Sequence, residues 1–600
     1  MNDLANSPMT TTSAPKRIDF NTPELQRKRR IRALKDHLTR WYVFIGGLAV
    51  LGAITLIFFF LGYVVMPLFQ GADLTTKQAI TPVWMQDAGK PLMLSIEEQN
   101  QVGMRVSDKG MVLFFDVKNG EELSRVNLPL PADTQVTSIG EDQPGNPVVA
   151  LGLSNGQALV FRHTYRVSYP DGKKTITPAI EYPYGEGPIA LDPQGRPLDH
   201  VNLSVNDSTL VLAGSTGAQL NVVSLASEEN MMTGEVTNSE TRIDLPQMTE
   251  QVKALYVDPR QQWLYVINGR AQADVFSLRD KSLNGRYKLA DDATTEITAS
   301  TQLVGGISLI FGNSNGGLSQ WFMARDPDGE QRFKHIRSFQ MGTSPIVEIT
   351  AEQRRKGFLA LDAAGEIGVF HSTAHRTLLV EKIAEGPGIM ALSPRANRII
   401  VEEGGKLVPL TLKNPHPEVS WSALWDKVWY ENYDEPKYVW QSTAANTDFE
   451  PKMSLAPLTF GTLKAAFYAM LLAAPLAVAA AIYTAYFMAP SLRRKVKPVI
   501  ELMEAMPTVI LGFFAGLFLA PYVEGHLPGI FSLLVLMPIG ILVAGFSWSR
   551  LPESIRLRVP EGWESLILIP VILFVCGLSL YMSPFMEAWF FGGDMRLWIS

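Results

Sequence analysis

Residues 41–72 contain no charged side chain. A run of that length is long enough to cross a lipid bilayer, because about 20 apolar residues suffice for a helical span. A cleaved signal peptide is the competing reading. The run is too long for one, it begins too late, and no small-residue cleavage site comes after it. Four more charge-free runs lie towards the C-terminus, at 465–492, 505–523, 527–549 and 565–586. Each carries prolines or glycines, which membrane helices tolerate better than soluble ones. The 600-residue chain is also too long for one core, so several domains are expected. The organisation predicted is a basic tail (1–40), a first transmembrane helix (41–69), an outer β domain (73–412), a Trp-rich interfacial connector (413–460) and a membrane-spanning region (461–600).

Sidedness is set by the basic residues, which favour the cytoplasmic side. Residues 1–40 hold Lys16, Arg17, Arg27, Lys28, Arg29, Arg30, Arg32, Lys35 and Arg40 against four acids. The second run lands on Arg493, Arg494, Lys495 and Lys497. Both clusters belong inside, which puts 73–460 outside. The loop 550–564 holds three Arg and three Glu and decides little. The net charge of −6 and the lack of arginine–aromatic motifs give no reason to expect a nucleic-acid partner. The single cysteine, Cys576, rules out an internal disulfide or a cysteine metal cluster, and its apolar run marks it as a packing residue.

Residues 85–412 read as a repeat array. A short apolar strand, a turn with Gly or Asn, and a second apolar strand recur at 103–117, 148–162, 209–225, 263–278, 307–323, 357–372 and 397–412. The turns centre on Gly110, Gly156, Gly217, Gly269, Gly316, Gly365 and Gly404. These hairpin signals, at intervals of 39 to 61 residues, suit four-stranded propeller blades with insertions in the second and third intervals. The fold class expected is α-helical membrane spans plus an all-β outer domain, a seven-bladed β-propeller, against the plainer alternative of a generic antiparallel β domain. No chemistry stands out in it. His371 and His375 are four apart but come after a strand, so a metal pair is not expected. Asp362 and Glu366 read as solvated turn residues. Trp421, Trp425 and Trp429 recur every four residues, as on one face of a helix at the membrane interface, with packing beneath the propeller as the alternative.

The region after the Trp-rich stretch carries a specific pattern. Gly461, Thr462 and Leu463 open the second run, Pro475 lies within it, and a proline and basic loop succeeds it. Then Ile500 to Gly512 read I-E-L-x-x-A-x-P-[ST]-V-x-x-G. This stretch resembles the start of the transmembrane domain of the C-type permease subunit of bacterial phosphate-specific ABC importers. The resemblance covers about 100 residues and excludes the β domain, whose role it cannot supply. It implies an inner-membrane, multi-pass permease carrying phosphate or a similar oxyanion without covalent chemistry or cofactor, while the basic clusters put the propeller on the periplasmic side. The implied partners are a second permease subunit, an ATPase subunit dimer and a periplasmic phosphate-binding protein, besides the lipid bilayer.

From the residues themselves, no G-x-x-x-x-G-K-[ST] loop occurs, so the ATPase is expected on another chain and the protein is not itself an enzyme. Glu501 and Glu504 are candidates for the transport path, since carboxylates at a membrane boundary are costly, although the nearby basic cluster can simply pair with them. Pro507 removes a helix hydrogen bond, Thr508 is next in the motif, and Gly512 with Gly516 permits close helix contact. The family's ATPase-docking loop is not found before Ser600, so the coupling residues are expected beyond it, and 461–600 reads as a truncated permease domain. Two other functions compete. A membrane-anchored propeller enzyme, such as a quinone-linked dehydrogenase, needs cofactor-binding tryptophan motifs that these repeats lack. A propeller scaffold or binding protein at the periplasmic face is compatible with the permease reading.

Overall fold

The computed structural model describes residues 23–206, 209–229, 236–290, 292, 294–442, 450–504, 506, 508–556, 558–559, 564–593 and 595. It divides into two compact units, Met1–Thr459 and Phe460–Ser600.

The first unit opens with the helix Pro23–Val65 and a short 3-10 turn, Met66–Phe69. The rest of it is built around a seven-bladed propeller. Among the described residues, seven antiparallel sheets each hold four strands, in sequence order in six of them, and the second carries an extra short edge strand, Ile189–Ala190. The blades begin with the strands Pro91–Ile96, Val136–Glu141, His200–Val205, Val252–Val257, Ile297–Gln302, Ile346–Ala351 and Ile389–Leu392. These first strands meet their counterparts in neighbouring blades, so they surround the axis.

Why this sequence closes a ring is visible in the burial pattern. The second and third strands are apolar on both faces, as in Met111–Asp116 and Val148–Leu153. Each face then packs on a different neighbour. The result is seven apolar clusters, one in every seam between adjacent blades. Burial at roughly 25 cal/mol per Å2 of apolar surface, repeated around the ring, is the main stabilising term.

The ring is completed by a strand from the other end of the chain. Asp73–Thr76 forms the outer edge of the seventh blade, pairing antiparallel with Lys406–Lys413 from Asp73 opposite Lys413 to Thr76 opposite Leu410. The seam between the last and first blades also holds a buried ion pair. Arg105 donates to both carboxylate oxygens of Glu402, at 2.8 and 2.9 Å, and to the carbonyls of Ala88 and Gly89.

The expected hairpins are present, and each is the second and third strand of one blade. Six of the seven expected turn glycines have positive φ, which glycine adopts without penalty. Gly269 is the exception. In that turn Ala271 takes the left-handed conformation instead, at φ 51°.

Three polar groups come from the first strands of the second, fourth and sixth blades, which surround the axis: Glu141, Tyr256 and Glu348. The Tyr256 hydroxyl donates to the Ser300 carbonyl at 2.7 Å. Burial, then the charge of Glu141, pushes the Glu348 carboxyl up to about 8. A carboxyl whose folded-state value lies above its unfolded value stabilises the fold only while protonated. Its contribution is full below about pH 4.5 and disappears as pH rises through the folded value. Glu348→Gln is therefore expected to be near neutral at pH 5 and stabilising at pH 8, by on the order of 1–2 kcal/mol after allowing for water along the axis. Denaturation midpoints of both proteins at the two pH values test this. An equal difference at both would refute it.

Among the described residues four helices are long and apolar enough to cross a membrane: Gln26–Phe69, including the 3-10 turn, at the start of the first unit, and then Ala456–Phe487, Leu527–Arg550 and Leu568–Phe590. The last two pack together through small residues, which allow close backbone approach. The Ser583 hydroxyl accepts from the Gly529 N–H at 3.0 Å, and the Ser579 hydroxyl donates to the Gly529 carbonyl at 3.0 Å. A Cβ at Gly529 would come within 2.9 Å of the Ser579 carbonyl oxygen.

Over its described residues the run 505–523 is not one regular α-helix. Its helix begins at Thr508, passes through a π-helical turn at Ala515–Leu519 and ends at Glu524. Seventeen residues of helix reach only about 25 Å, short of a ~30 Å hydrocarbon core. The preceding helix, Pro490–Glu504, meets it at 84°.

Candidate functional site

The motif 500–512 falls on this bent pair. Helix Pro490–Glu504 is amphipathic: Leu492, Val496, Val499, Ile500 and Met503 share one side at 3- and 4-residue spacing. Arg494, Lys497, Glu501 and Glu504 fall on the opposite side. Glu501 and Lys497 are one turn apart, with 3.9 Å between their charged groups and both well exposed. An exposed pair of this type contributes a few tenths of a kcal/mol at most. Arg493 caps the helix before it, donating to the carbonyls of Ala485 at 2.6 Å and Met488 at 3.2 Å.

Thr508 opens the next helix, and Gly512 lies one turn further on. Pro507 lies outside the described residues. A Cβ at Gly512 or Gly516 would meet nothing within 4 Å, so the close contact expected of this Gly-x-x-x-Gly pair is not made by the described residues. That role falls to Gly529 and to Gly540, where a Cβ would approach Val575 to 2.7 Å. The structure thus places Glu501 and Glu504 on one helix and Thr508 and Gly512 on another, across a bend, and gathers no pocket around them among the described residues.

A second constellation was not legible in the sequence. On the face of the propeller where its chain ends emerge, the connector after Lys413 packs on the fifth and sixth blades around a cavity of about 220 Å3. Lys356, buried to 3% exposure, pairs with Glu431 at 2.5 Å and donates to the Val304 carbonyl. Arg337 donates to the carbonyls of Trp429, at 2.6 Å, and Ser372. Arg355 holds Glu352 at 2.7 Å and the Asn414 carbonyl at 2.9 Å. Thr373 hydrogen-bonds Glu450. Lys452 lies over the rings of Tyr433 and Tyr430, 4.9 and 5.7 Å from their centroids.

Burial lowers the Arg337 guanidinium to about 10 and, with Arg355, Arg337, Arg376 and Lys356 nearby, holds His371 down at about 3. His371 is therefore neutral, and its Nδ1 accepts from the Ala374 N–H at 3.2 Å. Burial and the charge of Glu431 raise the Glu450 carboxyl. Each cation in this cluster faces a carboxylate, a carbonyl or an aromatic ring. The arrangement fastens the connector to the propeller.

The remaining sequence candidates resolve locally. His375 bonds the Ser338 carbonyl at 2.8 Å and meets the Phe339 ring edge-on. Asp362 is a turn residue, but a buried one: its Oδ1 accepts from the N–H groups of Ala364 and Glu366 at 2.9 and 2.8 Å. Among the described residues no three metal-ligating side chains converge. The three tryptophans do not share a helix. The helix is Trp421–Trp425, capped by the Ser420 hydroxyl accepting from the Ala423 N–H. Trp421 stacks on Phe69, whereas Trp429 lies beyond the helix, edge-on to Phe322 of the fifth blade. The chain leaves the helix at Asp426, which takes an extended conformation.

Comparison with known proteins finds no matching family model. The chain is similar to "Probable ABC transporter permease protein YqgH" of Bacillus subtilis (strain 168), with 34% identity over 121 residues. That alignment covers 18% of this chain and 39% of the relative, so the chain spans well under half the length of the protein it matches. Among solved structures, it is similar to the β-propeller domain of Cps50 (Swd1) from Myceliophteria thermophila. That likeness has 11% identity and a TM-score of 0.39 over 56% of this chain and 99% of the other. The blade count rests on this chain's own sheets. The apolar helices and the permease likeness are compatible with a membrane protein.

Proposed function

We propose that this chain is the membrane permease subunit of an ATP-driven importer that carries inorganic phosphate, or a similar oxyanion, across the bacterial inner membrane. The observation that carries the reading is the local 34% identity to a probable ABC permease. It is joined by four apolar helices of spanning length. In this reading the tail before Trp41 and the basic helix Pro490–Glu504 face the cytoplasm, and the propeller is periplasmic. The chain hydrolyses no ATP itself. It works with a second permease subunit, an ATPase dimer and a periplasmic phosphate-binding protein. In this reading Glu501, Glu504, Thr508 and Gly512, together with Pro507 of the same motif, belong to the translocation path. Phosphate, as the cargo, rests on the resemblance of residues 457–523 to phosphate-importer permeases.

Affinity purification of the full chain from detergent-solubilised membranes tests this. The expected result is an ATPase subunit and a second permease in stoichiometric amounts. Recovery of the chain with soluble periplasmic partners and no ATPase would overturn it in favour of a propeller scaffold.

A further inference from the structure

In each blade the third strand ends on the same face of the ring. The seventh blade's third strand ends at Lys413, and Asp73, paired with it, starts there too. Both connections to apolar helices therefore leave from one face. The N-terminal one is short. The 3-10 turn Met66–Phe69 and a few extended residues separate the helix end at Val65 from Asp73, a reach of roughly 20 Å. If that helix is embedded in a bilayer, as the permease reading requires, this face is held within reach of the lipid surface.

On the same face the third strands of the second, third and fifth blades run past their second-strand partners, and among the described residues that of the second blade runs furthest. That strand, Gln157–Ser168, pairs with the second strand only as far as Arg162. Residues 163–168 continue beyond it, paired with Thr175–Ile180, and turn at Tyr169 to Lys174. The base of this hairpin is anchored. Tyr165 packs edge-on against Phe114 of the first blade, and Ile176 is buried in that seam. Its tip is not. Tyr169 is 66% exposed and Val167 40%. Arg166, Lys173 and Lys174 surround them with a single acid, Asp171. Solvent-exposed aromatic and aliphatic side chains ringed by lysine and arginine fit the interfacial zone of an anionic bilayer, where a ring sits at headgroup depth and the cations face the lipid charge.

We propose that the tip of this hairpin, Arg166–Lys174, docks on the anionic lipid surface and steadies the propeller against the membrane that holds its chain ends. The occupant is lipid. Tyr169 and Val167 supply the apolar contact, and Arg166, Lys173 and Lys174 supply the charge complement.

Nitroxide labels on the full chain test it, in nanodiscs of phosphatidylethanolamine and phosphatidylglycerol. Cys576→Ser removes the native thiol, and single cysteines are introduced as Tyr169→Cys, Arg270→Cys and Phe58→Cys. Arg270 lies in a turn on the opposite face with 71% of its side chain exposed, and Phe58 lies in the first apolar helix. Relative accessibility to oxygen and to a water-soluble nickel chelate is read at each label. The expected result is interfacial immersion at 169, full water exposure at 270 and deep immersion at 58. Adding Lys173→Glu and Lys174→Glu is expected to bring the 169 label to the value at 270. If 169 matches 270 while 58 remains deep, the docking is wrong and the membrane reading stands. If 58 is also in water, both fail.

Discussion

Arg105→Ala is expected to lower the stability of the propeller by about 3–5 kcal/mol, the cost of removing one partner from a buried ion pair. Arg105 and Glu402 are 2% and 6% exposed at their side chains, and they join the first blade to the last. The guanidinium also satisfies the carbonyls of Ala88 and Gly89 and lies 5.9 Å from the Trp84 ring centroid. Alanine leaves a carboxylate and two carbonyls without donors in a dry seam. That seam is where a ring of blades opens, so the loss is expected first in the blades on either side. Hydrogen exchange of the full chain checks this, with protection falling in Val102–Ser107 and Arg398–Glu403 before the fourth blade. The double variant Arg105→Met with Glu402→Leu is expected to recover most of the loss, because a pair of apolar residues removes the unpaired charge. A single variant with wild-type exchange in both strands would contradict the account.

The sequence carried the repeat clearly because its signal is local. In each blade the second and third strands are contiguous, apolar and joined by a tight turn, so seven hairpins can be read in order. A further signal lay within the same turns. Asn268, Asn313 and Asp362 each accept from the N–H groups two and four residues later. A side-chain acceptor four residues before the third strand is thus a recurring device for fixing the turn. The outer strand of the last blade was harder to see. Asp73–Thr76 has four residues, three of them polar, and its partner lies more than 300 residues away. No periodicity can report a pairing of that kind.

The connector misled for a related reason. Trp421, Trp425 and Trp429 have helical spacing, and the local pattern gives no sign that Trp429 is drawn onto Phe322 instead. Lys356 and Arg337 carry no pattern that announces their partners, Glu431 and the Trp429 carbonyl, which lie 75 and 92 residues away. The bend after Glu504 was legible as a proline-containing motif but not as an angle. The run 505–523 is as apolar as the others, and only the π turn shows that it is not one straight helix.

A second large effect is expected at Gly512. A Cβ there would meet nothing within 4 Å among the described residues, so Gly512→Leu is expected to leave the fold and the membrane insertion of this chain intact. On the permease reading, this surface faces the second subunit or the path. Transport is then expected to fall about tenfold or more, equivalent to at least ~1.4 kcal/mol at the limiting step. Unchanged transport by a properly inserted variant would remove Gly512 from the proposed pathway.

The central claim is ATP-driven import. Its most direct test is uptake by proteoliposomes holding the purified complex, with Mg-ATP trapped inside and radiolabelled phosphate with its binding protein outside. The account predicts phosphate accumulation that depends on internal ATP, stops with a non-hydrolysable analogue and falls with Gly512→Leu. A complex that retains its ATPase and accumulates no phosphate, sulfate or phosphonate on ATP hydrolysis would contradict the importer reading, and accumulation of another oxyanion in place of phosphate would contradict the cargo.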